Sequence, residues 1–203
     1  MLNWLQIPLP ELFALLAAIA FAAGLNLYAT VAVLGLLARM AQVPLPAGLH
    51  LIESWPVIAA SGVLFAIEFI ADKIPAFDLV WNALHTFVRV PIAALIAYEA
   101  TAQLSPGERL IASLAGAAIA LAAHGGKTAI RAAVTPSPEP FSNITLSLIE
   151  DTLAVGLTWL ATRHPYAAAV ITTAFVVMIV LLLRLVVRAL RALFRGAESE
   201  LAS

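Results

Sequence analysis

Apolar stretches long enough to cross a bilayer follow one another through almost the whole chain, separated by prolines and short charged runs. A helix needs about 20 residues to cross a hydrocarbon core roughly 30 Å thick. Only 11% of the 203 residues are charged, whereas a water-soluble domain carries about 25%. We therefore expect an all-α integral membrane protein, a single transmembrane domain over residues 1–203 with the lipid bilayer as its partner.

Six hydrophobic segments satisfy the length requirement, and two of them are predicted to be broken or re-entrant. Glycine loosens a helix and a polar side chain inside it needs a partner, so we expect the breaks at residues 24–26 and 124–127. The third segment changes at Pro91 from a polar-striped half to an apolar half, and each half is too short to span alone. Ser105 and Glu108 have the spacing of a capping box at the start of the fourth segment. The six segments are residues 10–40, 54–75, 77–102, 105–134, 142–163 and 166–183.

The two halves of the chain share an order of features. In each half an apolar run is interrupted by glycine, and a proline-containing loop follows. The next helix then contains the dipeptide Ile-Glu, whose acid is Glu68 in the first half and Glu150 in the second. Three segments per half predict a 3+3 inverted repeat over residues 10–102 and 105–195, the plan of many secondary transporters. Chance similarity between two apolar, proline-bounded triplets explains the same order equally well, so both interpretations stand.

Basic residues predict the orientation, because cytoplasmic loops carry an excess of Lys and Arg. In the six-segment topology seven basic residues oppose three: Lys73, Lys127, Arg131, Arg184, Arg188, Arg191 and Arg195 against Arg39, Arg109 and Arg163. We expect both termini to be cytoplasmic and the basic tail, residues 184–203, to lie against anionic lipid headgroups.

Acidic residues at membrane depth are the first candidates for function, because a charge there costs at least about 2.5 to 3.5 kcal/mol and needs a partner or water. Glu150 and Asp151 lie deepest, roughly 12 Å into their segment by the helical rise. Polar or small residues recur at helical spacing on this segment, Asn143 among them. The structural alternative is an acidic pair held in place by Lys127 or Arg131.

A second polar group spans the second and third segments. Glu68 and Asp72 share a helix face, where two carboxylates repel unless a cation, a proton or a basic residue such as Lys73 lies between them. Charges that snorkel from a helix end are the alternative. His85 and Arg89 belong to a polar stripe, which either lies in the membrane interface or lines a re-entrant cavity opposite Glu68.

The glycine pair of the fourth segment lies between His124 and Lys127. A break there would open a half-helix N-terminus beside Lys127 and Arg131, a pocket for an anionic group, with the break at Asn26 as its counterpart. The alternative is that the glycines only permit close helix packing. Such packing is also the interpretation of the small-residue column just before them: Ala112, Gly116 and Ala120.

Several classes of function are excluded or disfavoured. A formal net charge of −1 provides no basic field for nucleic acid. The absence of cysteine excludes disulfides and thiolate chemistry. Neither HExxH nor GxSxG occurs, and the four histidines lack metal-ligand spacing. We therefore expect no enzyme, no catalytic residue and no cofactor, while a metal site stays open.

The polar motifs stand at residues 24–30 (GLNLYAT), 68–75 (EFIADKIP), 85–89 (HTFVR), 123–127 (AHGGK), 137–143 (SPEPFSN) and 150–151 (ED). Together they resemble the bacterial membrane family filed as domain of unknown function 4126, and the resemblance covers residues 12–183. It implies a small multi-pass protein of the bacterial cytoplasmic membrane. It implies no particular activity.

The leading functional hypothesis is a small secondary transporter or channel-like permease with a polar intramembrane site. The acids bind a cation or proton, and the glycine breaks with Lys127 and Arg131 face any anionic part of an unidentified solute. Two alternatives remain: a membrane scaffold or lipid-binding protein with purely structural polar groups, and an intramembrane enzyme acting on a lipid headgroup. A homo-oligomer is also open. The candidate site residues are Asn26, Glu68, Asp72, Lys73, His85, Arg89, His124, Lys127, Asn143, Glu150 and Asp151.

Overall fold

A computed structural model describes residues 7–40, 43, 45–134 and 140–201, with the side chains at 47, 75–79, 133–134, 140, 143, 190 and 192–201 excepted. Over these ranges the chain forms seven α-helices and a 3-10 helix, and no strand. The α-helices are α1 (Leu9–Leu25), α2 (Leu27–Arg39), α3 (Trp55–Ala71), α4 (Pro75–Ala100), α5 (Pro106–Val134), α6 (Pro140–Arg163) and α7 (Pro165–Leu201); the 3-10 helix covers Ala47–Glu53. Each predicted hydrophobic segment is therefore helical.

Proline and a capping box explain where the helices begin. The last four helices each start on a proline, whose fixed φ suits the first turn and whose missing N–H would have no partner there. At the start of α5 the Ser105 hydroxyl donates to Glu108 Oε2 at 2.6 Å, and the Ser105 amide donates to the same oxygen at 2.9 Å. The predicted capping box is confirmed.

The first segment is broken, as predicted, at a single residue. Asn26 has extended backbone angles (φ −147°, ψ 101°) between α1 and α2. Its side-chain oxygen accepts the Ala29 amide at 2.9 Å and so caps α2, because Asn stabilises a helix N-terminus in this way.

The predicted break at residues 124–127 is wrong, because α5 runs through Gly125 and Gly126 without interruption. A Cβ on Gly126 would lie 2.8 Å from Ile179 Cδ1 of α7. The glycine therefore serves close packing, which was the alternative interpretation. A glycine costs helix stability of about 0.5–1 kcal/mol relative to Ala, and the surrounding bundle outweighs that cost. The two predicted halves of the third segment likewise form one helix, with Pro91 inside α4.

The direction of α1 follows from its contacts with α5. Helices α4 and α5 are joined by the turn at residues 101–105, and we call this end of the bundle the α4–α5 end. Phe13, near the start of α1, lines a small cleft with Ala112 near the start of α5. Gly24, near the end of α1, packs on Ala120 and Ala123 further along α5. Helix α1 therefore starts at the α4–α5 end and runs parallel to α5.

Helix α2 returns to the end from which α1 came. Gly35 of α2 packs against the Ile52 carbonyl and the Ile58 side chain, and Gly48 of the 3-10 helix packs against the carbonyl of Glu99, at the end of α4. Helices α1 and α2 thus form a re-entrant hairpin, open at the α4–α5 end, with Asn26 at its tip inside the bundle.

The remaining helices run alternately between the two ends. Asp72, just after α3, contacts Arg131 near the end of α5; we call this the α3–α4 end, after the turn at residues 72–74. Gly126 of α5 packs on Ile179 of α7. Phe21 of α1, which lies nearer the α4–α5 end than Gly126, stacks on Phe175, an earlier residue of α7. Helix α7 therefore also runs toward the α3–α4 end. The first described helix therefore begins at one end of the bundle and the last helix finishes at the other.

Helix α1 is the centre of the bundle and packs against α4, α5, α6 and α7. Its buried face includes Leu12, Ala18, Phe21 and Gly24. The close contact of α1 with α5 depends on small residues, since a Cβ on Gly24 would lie 2.4 Å from the Ala120 carbonyl oxygen. Gly116 approaches the Ala97 side chain of α4 in the same way, as the small-residue column predicts.

The outside of the bundle is apolar, whereas charged side chains lie inside it. Large apolar side chains such as Phe87 and Leu51 are among the most exposed. The helices with the length and composition of membrane spans are Val80–Ala100, Pro106–Ala132, Ile144–Arg163 and Pro165–Ala189; α1, α2 and α3 are shorter apolar helices. This distribution is compatible with a membrane-embedded protein, in which apolar surface faces lipid and ionisable groups face the interior.

Replacement of Gly24 by Ala is expected to destabilise the bundle. The added methyl meets the Ala120 carbonyl and the Ala123 side chain, and overpacking of this kind costs about 1–3 kcal/mol. Gly125→Ala is the matched control, because nothing lies within 4 Å of its added Cβ. Thermal unfolding in detergent should show a lower Tm for Gly24→Ala alone, and equal effects of the two substitutions would contradict the close α1–α5 contact.

The re-entrant hairpin predicts a pattern of labelling in a chain without cysteine. Single cysteines at the exposed positions Leu9 and Leu51 should react with an impermeant thiol reagent from the same side of a membrane. A cysteine at the exposed Ile74 should react from the opposite side. Labelling of Leu9 and Leu51 from opposite sides would show that residues 10–40 cross the membrane once and would refute the hairpin.

Candidate functional site

The break between α1 and α2 exposes backbone carbonyls in the middle of the bundle. The last carbonyls of a helix have no partner within the helix. The Leu25 carbonyl oxygen accepts from Arg89 Nη1 of α4 at 3.2 Å and from Lys127 Nζ of α5 at 3.3 Å. The hairpin tip is therefore bound by two cationic side chains from two other helices.

Asn26 connects the same tip to α6. A backbone amide can only donate, so the atom of Asn26 that faces the Ala29 amide is the side-chain oxygen. Its amide nitrogen therefore points the other way and donates to Asp151 Oδ1 at 2.9 Å. The cap of α2 thus sets the orientation of the group that contacts Asp151.

Lys127 lies between three carboxylates. Its Nζ is 3.6 Å from Glu68 Oε1, 3.1 Å from Asp72 Oδ2 and 3.3 Å from Glu150 Oε2. The expectation that a basic residue separates Glu68 from Asp72 is met by Lys127 rather than by Lys73. The Lys73 ammonium instead donates to the Phe69 carbonyl at 2.5 Å and lies over the Phe69 ring.

Arg131 joins α5 to both α6 and the end of α3. Its Nε donates to Glu150 Oε1 at 3.2 Å and its Nη2 donates to Glu150 Oε2 at 2.5 Å, a two-point contact that fixes the relative orientation of both groups. Nη1 donates to the Asp72 carbonyl at 3.0 Å, and Nη2 is 3.1 Å from Asp72 Oδ2. Glu150 contacts both Lys127 and Arg131, the two residues that the structural alternative proposed as its partners. The same contacts bring several charged side chains together.

Arg89 pairs with Glu68 through Nη2 and Oε1 and reaches His124 through Nη1, 3.1 Å from Nδ1. A guanidinium can only donate, so Nδ1 of His124 accepts and the ring proton is on Nε2. That nitrogen lies 3.0 Å from the Asn82 carbonyl and 2.8 Å from the Thr86 hydroxyl. His124 is therefore a neutral imidazole in this arrangement.

His85 is buried beside these groups but makes different contacts. Its Nδ1 donates to the Trp81 carbonyl at 2.7 Å, its Nε2 is 2.9 Å from the Tyr28 hydroxyl, and its ring stacks on Trp81. The stripe that carries His85 and Arg89 thus faces the bundle interior. Of the two alternatives for this stripe, the contact of Arg89 with Glu68 agrees with a position opposite Glu68 and not with one in the membrane interface.

We call seven of these residues the charge cluster: Glu68, Asp72, Arg89, Lys127, Arg131, Glu150 and Asp151. None is more than 7% exposed. Four carboxylates face three basic side chains, so the fully ionised cluster has one negative charge in excess. The buried oxygens Oε2 of Glu68 and Oδ2 of Asp151 make no hydrogen bond to any residue that the structure describes. Among the described residues, no group of three or more His, Asp or Glu is arranged to hold a metal ion.

Most of the predicted site residues come together at this place. Asn26, His85 and His124 adjoin the charge cluster, Lys73 lies at its margin, and the side chain of Asn143 is outside the described residues. Arg131, which the sequence predicts as a partner of Glu150 or as a neighbour of an anionic pocket, is not among the candidate site residues and nevertheless belongs to the charge cluster. Its position four residues after Lys127, on the same helix face, is the signal that could have included it in the site.

Comparison with known proteins identifies one family. The family model described as "Domain of unknown function (DUF4126)" matches residues 13–185. No curated protein and no solved structure matches the chain.

A double-mutant cycle on Arg89 and Glu68 should reveal strong coupling. Loss of one partner leaves an uncompensated buried charge, which costs about 3–5 kcal/mol, so Arg89→Met and Glu68→Met should each lower stability. The double mutant should lose much less than the sum of the two. Unfolding in detergent measures all four stabilities.

The partly exposed pair Arg109 and Glu99, 3.8 Å apart at the α4–α5 end, is the control for this cycle. Its expected contribution is about 0–1 kcal/mol. Equal coupling in the two pairs would contradict the effect expected from the burial of Arg89 and Glu68.

Proposed function

The chain belongs to the DUF4126 family, and from the geometry of its charge cluster we propose that it is a small secondary transporter or channel-like permease. The observation that carries the proposal is the meeting of a re-entrant hairpin tip with a buried charge cluster of unequal sign. The permeating or coupling species is a proton or a cation, which the excess carboxylate attracts.

The hairpin supports this proposal because non-helical backbone at membrane depth occurs only where it is buried in protein or lines a water-filled cavity. Transporters use such breaks to present backbone groups at a binding site. Here Leu25 and Asn26 both contribute polar contacts to the charge cluster.

The charge cluster supports the proposal through its composition. Ionisable residues within membrane spans mark ion pathways and proton relays by default. Carboxylates crowded together retain a proton or a cation, because like charges disfavour full ionisation. The expected anion pocket is not retained, since α5 is unbroken and both Lys127 and Arg131 already bind carboxylates.

The orientation that we propose places the α3–α4 end in the cytoplasm. Lys73, Lys127, Arg131 and the arginines of α7 lie toward this end, and cytoplasmic ends carry the excess of basic residues. The C-terminus is then cytoplasmic, as the sequence predicts. The beginning of α1 is on the other side, because the hairpin returns instead of crossing.

The inverted repeat remains part of the proposal with one of its features removed. Glu68 and Glu150, the two acids of the Ile-Glu pairs, bind the same ammonium group of Lys127, which supports a related role in the two halves. The glycine break that the halves were expected to share occurs only in the first half.

A scaffold or lipid-binding protein is the second candidate, favoured by the number of ion pairs inside the charge cluster. In that case the ion pairs serve helix packing alone. The contacts of His85 and His124 go to Tyr28, Trp81, Asn82, Thr86 and Arg89 and do not favour the enzyme alternative.

Flux in proteoliposomes separates the two candidates. Full-length protein should carry protons, read with an internal pH dye under an imposed potential, or sodium, read with a radioactive tracer, faster than protein-free liposomes. Glu150→Gln should lower the flux by about tenfold or more, equivalent to at least about 1.4 kcal/mol of barrier. Glu108→Gln is the control, because Glu108 is exposed and Gln also serves in a capping box.

The scaffold candidate predicts a different result. Glu150→Gln would be nearly silent, while Gly116→Leu, whose side chain meets Ala97, would disrupt the protein. Absence of both fluxes from the wild type, or equal flux in Glu150→Gln, would reject the transport proposal.

A further inference from the structure

Among the four acids of the charge cluster, Asp151 is the one whose described hydrogen-bond donor is an uncharged side chain. It is 5% exposed. Its Oδ1 accepts from the Asn26 amide at 2.9 Å, and its Oδ2 is buried without a hydrogen-bond partner in the described part of the chain. If Asp151 were ionised, Oδ2 would be a negatively charged oxygen without a hydrogen-bond donor. Burying such an oxygen away from water costs free energy.

Lys127 and Lys73 carry the positive charges that act on Asp151, but the described hydrogen bonds and ion pairs of both ammonium groups go to other atoms. Glu68 and Asp72 at the end of α3 are of the same sign, as is Glu150 on α6. Lys127 of α5 is within 4 Å of those three acids already. The other basic residues are also engaged: Arg89 with Glu68, Arg131 with Glu150, and Lys73 with the Phe69 carbonyl and ring.

A neutral Asp151 balances the charge cluster. With Asp151 protonated, three carboxylates face three basic side chains and the excess charge disappears. Resting on the proposed function and specifying its ion, we propose that Asp151 holds a proton on Oδ2 and is the site where the transported or coupling proton is bound and released. On loading, an O–H bond of hydronium breaks as an O–H bond forms at Oδ2, and water is left; on release the Oδ2–H bond breaks and water takes the proton as hydronium.

A proton suits this site better than a metal cation. Hard cations such as Mg²⁺ and Ca²⁺ take six or more oxygen ligands at once, whereas a proton needs one oxygen. The freed Leu25 carbonyl already accepts from Arg89 and Lys127, and the Asn26 side-chain oxygen already accepts from Ala29. The buried carboxylate oxygens that remain for a new bond among the described residues include Oδ2 of Asp151 and Oε2 of Glu68. Glu68 is paired with Arg89, so Asp151 is the acid that a proton neutralises without breaking an ion pair.

Protonation of Asp151 changes the strength of its hydrogen bond to Asn26 at the hairpin tip. The Asn26 amide donates to Oδ1 in both states, but a hydrogen bond to an ionised carboxylate is roughly twice as strong as one to a neutral group. The unloaded carboxylate also faces the N-terminus of α2, which favours negative charge. Release of the proton therefore strengthens the attachment of the hairpin to α6.

Infrared spectroscopy of the full-length protein in liposomes tests the proton directly. At pH 7 the wild type should show the C=O band of a protonated carboxyl group, shifted by exchange into D₂O. The band should be lost in Asp151→Asn and kept in Glu108→Gln, which removes an exposed carboxylate outside the charge cluster. A wild type without the band, or a band that persists in Asp151→Asn, would overturn the proposal.

Thermal stability provides an independent measurement, since Asn imitates a protonated Asp. Asp151→Asn should unfold at a higher temperature than the wild type at pH 7, because the wild type must take up a proton on folding and Asn need not. Glu150→Gln, which loses ion pairs with Lys127 and Arg131, should unfold at a lower temperature. The Tm of the wild type should fall relative to that of Asp151→Asn as the pH rises from about 4, where an unfolded aspartate ionises, to the midpoint of the band, and the difference should stay constant above it. A lower Tm of Asp151→Asn at pH 7 would count against a neutral Asp151.

Two further outcomes distinguish this inference from the proposed function. A band without any flux would reject transport and leave Asp151 as a proton-binding site. Flux without the band would leave transport in place and reject the assignment to Asp151. A band removed by sodium chloride but not by choline chloride would identify sodium as the ligand and overturn the proton.

Discussion

Compensation of charge inside an apolar bundle is the constraint on which the rest of the structure depends. Seven ionisable side chains lie together where water is nearly excluded, and isolated charges there would cost several kcal/mol each. Ion pairs between α3, α4, α5 and α6 reduce that cost, and the Leu25 carbonyl at the hairpin tip accepts from two of the cations. The break in the first segment and the charge cluster are therefore one arrangement, because each supplies the polar partners that the other lacks.

Small residues make this arrangement sterically accessible. The carbonyl at the tip reaches Arg89 and Lys127 only if α1 lies close to α5, and Gly24 provides that approach by contacting the Ala120 backbone. Gly126 brings α7 against the other side of α5 in the same way. Packing and electrostatics are thus coupled, since a bulkier residue along α1 or α5 would separate a cation from its acceptor as well as displace a helix.

The proposed transport function and the proposed proton on Asp151 have the same physical basis. A fully paired network would be a rigid connection between helices, whereas an excess carboxylate gives the network two charge states. Asn26 contacts that carboxylate and also caps α2, so the charge state acts on the one element that enters the bundle and leaves it at the same end. A purely structural role would need no such excess.

Local properties of the chain determined much of the fold: the helical segments, the capping box at Ser105, the break at Asn26 and the group of polar residues from which the charge cluster is built. They can be read from sequence because length, capping and the cost of a buried polar group depend on neighbouring residues. Tertiary packing alone decided that α2 turns back, that Gly126 packs rather than breaks α5, and that Lys127 rather than Lys73 separates the acids. These outcomes depend on residues distant in sequence, as Asn26 is from Asp151, whose meeting is set by how closely whole helices approach.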